Sequence, residues 1–111
     1  EWHDAPFFLN IPEDTVLLFD VYAFGTDHGD AAGVWRAECE VYRAGAGAPV
    51  LLTPLTQRKS STSVAASWDM RVVIVPEGGI SVQVHADPDQ TVDWFVTNTD
   101  FTGMFGRFPG V

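Results

Sequence analysis

Residues with the chemistry of metal ligands occur at two places in the sequence. The run Asp27-His28-Gly29-Asp30 holds two carboxylates and an imidazole within four positions, a set of groups that ligates cations in other proteins. Its spacing matches no calcium or zinc pattern, and a solvated loop explains it equally well. His85, Asp87 and Asp89 form a second set, in which turn formation by the aspartates is the simpler interpretation. We therefore expect no metal ion and no cofactor.

No set of residues has the spacing of a catalytic motif. Ser, His and Asp occur, but no serine lies in the strand-turn-helix context of a nucleophile elbow. Cys39 and His85 both fall in predicted strands, Cys39 facing inward and His85 outward, so a Cys–His pair is not expected. The stretch GAGAP at 45–49 lacks the Lys-Ser/Thr and the helix of a phosphate-binding loop. The sequence therefore predicts a protein that is not an enzyme.

The elements that must position these residues show strict alternation, which is the strongest pattern in the chain. Successive side chains of a strand point to opposite faces, so alternate apolar residues share a buried face. The predicted inward residues are Trp35, Ala37, Cys39 and Val41; Trp68, Met70, Val72 and Ile74; Ile80, Val82 and Val84; and Val92, Trp94 and Val96. Arg36, Glu38, Glu40 and Tyr42 fall on the other, wet face of their strand. No segment has a sustained helical period.

These patterns predict an all-β fold, a single antiparallel β-sandwich of jelly-roll or Ig-like type with about six to eight strands. The predicted strands are 15–24, 34–43, 50–55, 66–75, 80–86 and 91–98. The last three are expected to form a meander because short turns join them. The polar, basic run at 57–63 is predicted to be a loop.

The chain is predicted to be one domain with an extension at each end. Its 111 residues, 46% hydrophobic and 19% charged, suit a single globular core. The expected organisation is an N-terminal arm at 1–13, a β-sandwich domain at 14–99 and a C-terminal aromatic and glycine-rich tail at 100–111.

Charge and cysteine content exclude several classes of partner. The net charge of −9 opposes binding to nucleic acid and docking on anionic membranes. No apolar run is long enough for a membrane span, so no membrane insertion is expected. Cys39 is the only cysteine, and a domain of this size without disulfides favours assembly in a reducing cytoplasm.

Both ends of the chain are rich in apolar side chains, which suggests contact surfaces. The candidate partner-interface residues are Trp2, Phe7, Phe8, Leu9, Ile11, Phe101, Met104, Phe105 and Phe108. Two interpretations stay open: the ends fold back and cap the core, or at least one end reaches onto a partner subunit.

Three aromatic residues, Tyr22, Tyr42 and Phe95, fall on the predicted outer face of their strands. Such residues pack against a neighbouring subunit, support a second core layer, or stack on sugars. They are the candidate ligand or subunit face.

The order of the strands resembles a β-sandwich domain of structural proteins in tailed bacteriophages. The residues that carry the resemblance are Trp35, Arg36, Ala37 and Glu38; Val50, Leu51 and Leu52; Ala66, Trp68, Asp69 and Met70; Gly79, Ile80, Val82 and Val84; and Thr91, Val92, Asp93, Trp94 and Val96. They span about residues 15–98, and His85-Ala86 departs from the glycine that the family often has there.

The resemblance implies a non-enzymatic structural protein of a phage-like particle, as a head decoration, head fibre or tail fibre component. Together with the apolar ends, it implies a chain that self-associates, expected as a homotrimer, and docks through its terminal arms on major capsid or tail proteins. Such a chain is assembled in the host cytoplasm and lies on the virion surface. The alternative function is a carbohydrate-binding or receptor-binding module, since exposed aromatic residues on a sheet also stack on sugars.

Overall fold

The protein is all-β, as predicted. In the computed structural model, residues 1–52, 56–87 and 90–101 are described, without the side chains of Thr56, Asp100 and Phe101. Met104, Phe105 and Phe108 lie outside the described residues. The described strands are β1 (His3–Asn10), β2 (Thr15–Thr26), β3 (Ala32–Arg43), β4 (Val50–Leu51), β5 (Thr56–Ser61), β6 (Asp69–Val75), β7 (Gly79–His85) and β8 (Asp93–Phe101), with a 3-10 helix at Ser63–Ala65.

The strands form two antiparallel sheets, an arrangement compatible with the predicted β-sandwich. The smaller sheet has the order β1-β7-β6, and the larger has the order β4-β3-β2-β8, with β5 also paired to β3. Within the described residues, no helix is long and apolar enough to cross a membrane.

Strands β2 and β3 form a long hairpin at the centre of the larger sheet. Their register runs through twelve pairs, from Thr15 opposite Arg43 to Thr26 opposite Ala32. The apolar character of both faces of β2 predicts a central or doubly covered strand. The central position is confirmed, because β2 pairs with β3 on one side and with β8 on the other.

The core is one cluster of buried side chains from both sheets, with three tryptophans in mutual contact. The ring centroids of Trp35 and Trp94 lie 5.1 Å apart, and those of Trp68 and Trp94 lie 5.9 Å apart. Trp35 and Trp68 are buried, and Trp94 packs partly buried against them. The predicted inward face of β3 is confirmed, since Ala37, Cys39 and Val41 are fully buried with Trp35.

The predicted meander is correct for its first two strands and wrong for the third. β6 and β7 form a hairpin around a tight turn, in which the Gly78 amide donates to the Val75 carbonyl at 3.0 Å. β8 instead crosses to the larger sheet and pairs with β2, where Trp94 lies opposite Gly25. The indole ring of Trp94 occupies the space over Gly25, which has no side chain. A short turn favours pairing of β8 with its sequence neighbour β7. Burial of the Trp94 ring favours pairing of β8 with β2 in the larger sheet, and this effect decides.

The segment 57–63, predicted to be a loop, is largely strand β5. Thr56–Ser61 pairs with residues 33–38 of β3. An edge strand needs no apolar side chains when its backbone is paired, so alternation did not reveal it. The strand predicted at 50–55 is strand only at Val50–Leu51, and residues 53–55 lie outside the described residues.

The segment 1–13, predicted to be an arm, contains β1, which pairs with β7. Its extended conformation was expected, but its place in a sheet was not. Ile11, a predicted partner-interface residue, is fully buried in the core, and its amide donates to the Gly78 carbonyl at 2.9 Å. Phe7 and Leu9 pack partly buried against the same core. Burial of these apolar side chains explains why the segment joins the sheet.

Candidate functional site

The outer face of the larger sheet carries most of the exposed large apolar side chains of the described chain. From Leu17 onward on β2 and from Trp35 onward on β3 the odd-numbered residues are buried, so the even-numbered residues point outward. Those that are apolar and exposed, together with their neighbours on β4 and β8, are Val16, Leu18, Phe24, Val34, Tyr42, Val50 and Phe95. An exposed apolar surface of this kind marks an interaction site more often than scattered single residues do.

One group of these residues lies at the closed end of the β2–β3 hairpin. Phe24 is paired with Val34 on one side and with Phe95 on the other, and these three residues form the hairpin patch. Phe95 is 63% exposed. The ring centroids of Phe24 and Phe95 lie 6.1 Å apart, and Tyr22 stacks on Phe24 at 6.3 Å. The patch is therefore a continuous aromatic surface that extends to Tyr22.

The hairpin patch lines a shallow groove with a volume of about 700 Å³. The rim is polar and is supplied by Thr26, Ser60, Ser61, Thr62 and Asp93. An apolar centre with a polar rim is the arrangement found in protein–protein interfaces.

A charged belt crosses the outer face next to Tyr22. The Arg36 guanidinium donates to Asp20 Oδ2 at 3.1 Å and lies 3.2 Å from Glu38 Oε1. The hydrogen bond to Asp20 raises the pKa of Arg36 above its ordinary value. Arg36 also lies 5.9 Å from the centre of the Tyr22 ring. The belt separates the hairpin patch from the rest of the apolar surface.

A second apolar group, the opposite-end patch, lies beyond the belt where β2 begins. It consists of Val16, Leu18, Tyr42 and Val50, in which Tyr42 is paired with both Val16 and Val50. Val16 lies eight positions from Phe24 along β2, which corresponds to roughly 26 Å at about 3.3 Å per residue.

The three aromatic residues predicted to share one ligand or subunit face are therefore divided. Tyr22 and Phe95 are connected through Phe24 in the hairpin patch, whereas Tyr42 belongs to the opposite-end patch. All three do lie on the outer face of the larger sheet.

The N-terminal aromatic residues predicted to contact partners lie on the smaller sheet. Trp2 packs on His85, with ring centroids 5.4 Å apart, and the Arg71 guanidinium lies 4.3 Å from the Trp2 ring centre. Phe8 is 57% exposed, and its ring lies over Gly79. These residues are thus anchored on their own sheet, with Phe8 retaining an accessible surface.

The residues considered as metal ligands make local contacts instead. The Asp27 carboxylate accepts hydrogen bonds from the backbone amides of Gly29 at 2.8 Å and Ala31 at 3.1 Å. His28 Nε2 lies 2.5 Å from Asp93 Oδ2 across the end of the sheet. Asp87 accepts a hydrogen bond from the Ser67 hydroxyl at 2.7 Å, and Asp89 lies outside the described residues.

The single thiol is not poised for nucleophilic chemistry. Cys39 is fully buried, as its alternation predicts. Burial is the main cause that raises its pKa to about 12, with a smaller contribution from the Asp20 charge. A thiol is a nucleophile only as the thiolate, so Cys39 is inert at neutral pH.

A second cavity of about 440 Å³ opens between β1 and β8. Its lining includes the carboxylates Glu1, Asp4, Asp87 and Asp93. The described residues contain no group of three His, Cys, Asp or Glu side chains placed to hold a metal ion. The four carboxylates make the lining of this cavity negatively charged, like the chain as a whole.

Sequence reasoning missed the two residues at the centre of the hairpin patch. It recorded Phe24 only as one of the residues that make the second face of β2 apolar, and it did not single out Val34. The signal that reveals both is the hairpin register, because a closed end between Gly25 and Gly33 places Phe24 opposite Val34. Pairing with β8 then adds Phe95, which only the tertiary structure supplies.

Comparisons of the chain with protein-family models, curated proteins and solved structures found no significant match. The fold and the site define an all-β protein of two antiparallel sheets with an apolar, aromatic outer face. The functional argument therefore rests on the geometry of this chain.

Proposed function

We propose that this protein is a non-enzymatic structural domain that self-associates through the hairpin patch. One observation carries the proposal: Phe24, Val34 and Phe95 form a contiguous exposed apolar surface with a polar rim. Aromatic side chains dominate the energetics of protein interfaces, and charged residues are depleted at interface centres. A second copy of the chain, placing its own apolar surface on the patch, removes these rings from water.

The charged belt supports a role in specificity. Arg36 pairs with both Asp20 and Glu38 within a chain, so the three side chains present a fixed polar border, with one negative charge in excess, to an incoming subunit. Such a border adds orientation more than affinity. The net charge of −9 opposes indiscriminate aggregation through the apolar patches.

The resemblance to tailed-phage structural proteins gives this proposal its particular form. In that form the domain is a jelly-roll or Ig-like sandwich, associates as a homotrimer and decorates the head or builds a fibre of a phage-like particle. The buried Cys39, which needs no oxidising compartment, supports assembly in a reducing cytoplasm.

The test is the mass of the full chain in solution, measured by light scattering over a range of concentrations. We expect a defined oligomer of the 12.1 kDa chain, a trimer in the phage-like form, and dissociation in Phe95→Ser and Val34→Ser variants. Val64→Ser is the matched control, since Val64 is 42% exposed and Val34 is 37% exposed, but Val64 lies outside the patch. A monomer at all concentrations, or equal effects of Val34→Ser and Val64→Ser, would refute self-association through this patch.

A second candidate function is favoured by the run of rings from Tyr22 through Phe24 to Phe95. A row of aromatic side chains beside hydroxyl groups and a carboxylate, here Ser60, Thr62 and Asp93, suits a sugar that stacks by its apolar face. The carbohydrate-binding hypothesis predicts a monomer that binds defined glycans on an array. It also predicts that Phe24→Ser abolishes this binding. A stable oligomer with no glycan signal favours the structural function.

A further inference from the structure

The charged side chains on the outer face of the larger sheet are separated by sign along the strands. Arg36 is paired with the exposed Arg58 of β5, so two arginines are neighbours in one row beside the hairpin patch. Asp20 and Glu38 are paired in the following row, and Glu40 lies in the row after that. The face is therefore positive beside the hairpin patch and negative beside the opposite-end patch.

The two apolar patches lie at equal distances from the middle of this face. Phe24 and Val34 are paired at one end of the β2–β3 hairpin, and Val16 and Tyr42 are paired at the other end. Asp20 belongs to the pair midway between them, four residues from Phe24 and four from Val16. A half-turn about an axis across the strands at this middle pair therefore exchanges the two patches.

The charge pattern distinguishes two ways of stacking two such faces. When the hairpin patch of one copy meets the hairpin patch of another, every charged row meets a row of its own sign. After a half-turn that reverses the strands, the row of Arg36 and Arg58 instead faces Glu40 of the second copy. Only the middle row then meets itself, and its carboxylates are already paired with Arg36. Like charges in contact oppose an arrangement, so the charges favour the half-turn.

The outer face is large enough for a stable contact between two copies. β2 has twelve residues, which corresponds to a length of about 40 Å at about 3.3 Å per residue. The sheet is four strands wide, or about 19 Å at about 4.8 Å per strand. The resulting area of about 750 Å² is close to the roughly 800 Å² that each partner contributes to an interface of standard size.

We propose that the hairpin patch of one chain packs on the opposite-end patch of a second copy, through two outer faces related by a half-turn. Phe24 of each chain then faces Val16 of the other, and Val34 faces Tyr42. The contact occurs twice in each dimer, because a two-fold interface uses the same surface of both chains. This inference rests on the proposed self-association through the hairpin patch and names the surface that covers it. It replaces the trimer of the phage-like form by a dimer.

Cross-linking between two cysteine variants of the full chain tests the arrangement. Native Cys39 is fully buried with its pKa raised to about 12, so it does not compete for a thiol reagent. The two variants are Val34→Cys and isotope-labelled Val16→Cys, in which a small apolar side chain replaces valine. They are mixed and treated with a bismaleimide that spans about 10 Å, the separation of packed sheets.

We expect mixed covalent dimers, identified by mass spectrometry, to form at least tenfold faster than dimers of Val34→Cys with itself. In the proposed arrangement the two positions 34 are roughly 26 Å apart along the strands, which is beyond the reach of the reagent. Self-cross-linking of Val34→Cys at an equal or higher rate would mean that the hairpin patch meets its own copy. That result would overturn the inference and leave the proposed self-association intact.

Light scattering of Val16→Ser provides a second measurement that needs no cysteine. We expect this variant to raise the dissociation constant of the dimer at least tenfold, as Val34→Ser does. Val64→Ser is the matched control, since Val64 is 42% exposed, Val16 is 45% exposed, and Val64 lies outside both patches. An intact dimer in Val16→Ser, with dissociation in Val34→Ser, would refute the inference alone. A monomeric wild type would refute the proposed function as well.

Discussion

The indole ring of Trp35 lies directly over Gly33, two residues before it on the same face of β3. A Cβ atom at position 33 would be 2.5 Å from Trp35 Cη2 and 3.0 Å from the Cβ of Ser61. Trp94 is related to Gly25 in the same way, since a Cβ there would be 2.9 Å from Trp94 Cζ3. Gly25 and Gly33 are paired across the hairpin, so two adjacent glycines make room for two of the three core tryptophans.

Gly33→Ala should therefore destabilise the protein by overpacking. The new methyl group must displace the Trp35 ring, which is held by Trp68 and Trp94, and we expect a loss of about 1–3 kcal/mol in the free energy of unfolding. Urea unfolding followed by tryptophan fluorescence measures the loss. Gly29→Ala is the control, because its Cβ would meet only the Asp27 carboxylate, at 3.3 Å, and a change within about 0.5 kcal/mol is expected. Similar values for the two variants would refute the packing argument.

Arg43 should prove essential for stability because it joins three loops. It is only 9% exposed, and its guanidinium donates to the carbonyl oxygens of Ile11 at 2.9 Å and Gly47 at 2.9 Å and, more weakly, to those of Ala46 and Glu77. Arg43→Met removes all these donors, and we expect a loss of about 3 kcal/mol in urea unfolding.

Arg58→Met is the control for Arg43→Met, since Arg58 lies on the exposed edge strand β5. It should change stability by less than about 0.5 kcal/mol. Arg43→Lys should recover only part of the loss, because one ammonium group cannot reach all the carbonyls that the planar fork contacts. Full recovery with lysine would show that charge, not hydrogen-bond geometry, is what matters at this position.

The two buried indoles should respond differently to replacement by phenylalanine. Trp68 Nε1 donates to Gln90 Oε1 at 2.6 Å, whereas Trp35 Nε1 is buried without an acceptor among the described residues. Both replacements lose similar packing, but only Trp68→Phe also breaks a hydrogen bond. We expect Trp68→Phe to be less stable than Trp35→Phe by about 1 kcal/mol in thermal unfolding. The opposite order would show that the Trp35 indole has an acceptor in solution.

The burial of the Cys39 thiol predicts that the protein loses stability at alkaline pH. Its pKa is raised to about 12 in the folded protein, mainly by burial, against about 8.5 in an unfolded chain. Between these values the unfolded state releases the thiol proton and the folded state keeps it. The free energy of unfolding therefore falls as pH rises, by roughly 1.4 kcal/mol per pH unit, and is unaffected by this group below about pH 8.

The measurement is the difference in unfolding free energy between wild type and Cys39→Ala at pH 7.5 and at pH 10.5. All other ionisable groups are common to both proteins, so the difference isolates Cys39. The wild type should lose its advantage over the variant at the higher pH. Parallel profiles, or rapid reaction of the folded wild type with a thiol reagent at pH 8, would contradict the burial of Cys39.

The inward faces of the strands were predictable because burial imposes a two-residue period on side chains. The positions of Trp35, Ala37, Cys39 and Val41 follow from that period alone, as does the all-β class. Arg43 lies on the same face of β3 as Val41, because the two are two residues apart, and this alternation was the available signal for its buried position. The polar strand β5 carried no such signal, because its contribution is backbone pairing and the side-chain hydrogen bonds of Gln57 and Lys59 to carbonyls of Met70 and Trp68.

The sequence by itself determined which side of each alternating strand is buried, since transfer of apolar side chains from water is a local property of each residue type. Only the tertiary structure decided which strands are neighbours. It placed β8 beside β2, where Trp94 fits over Gly25, and so brought Phe95 next to Phe24. The register between β2 and β3 placed Tyr42 far from Tyr22 on the same face of the sheet. Contacts between residues distant in sequence depend on how whole surfaces fit together, and the period of one strand contains no information about its neighbour.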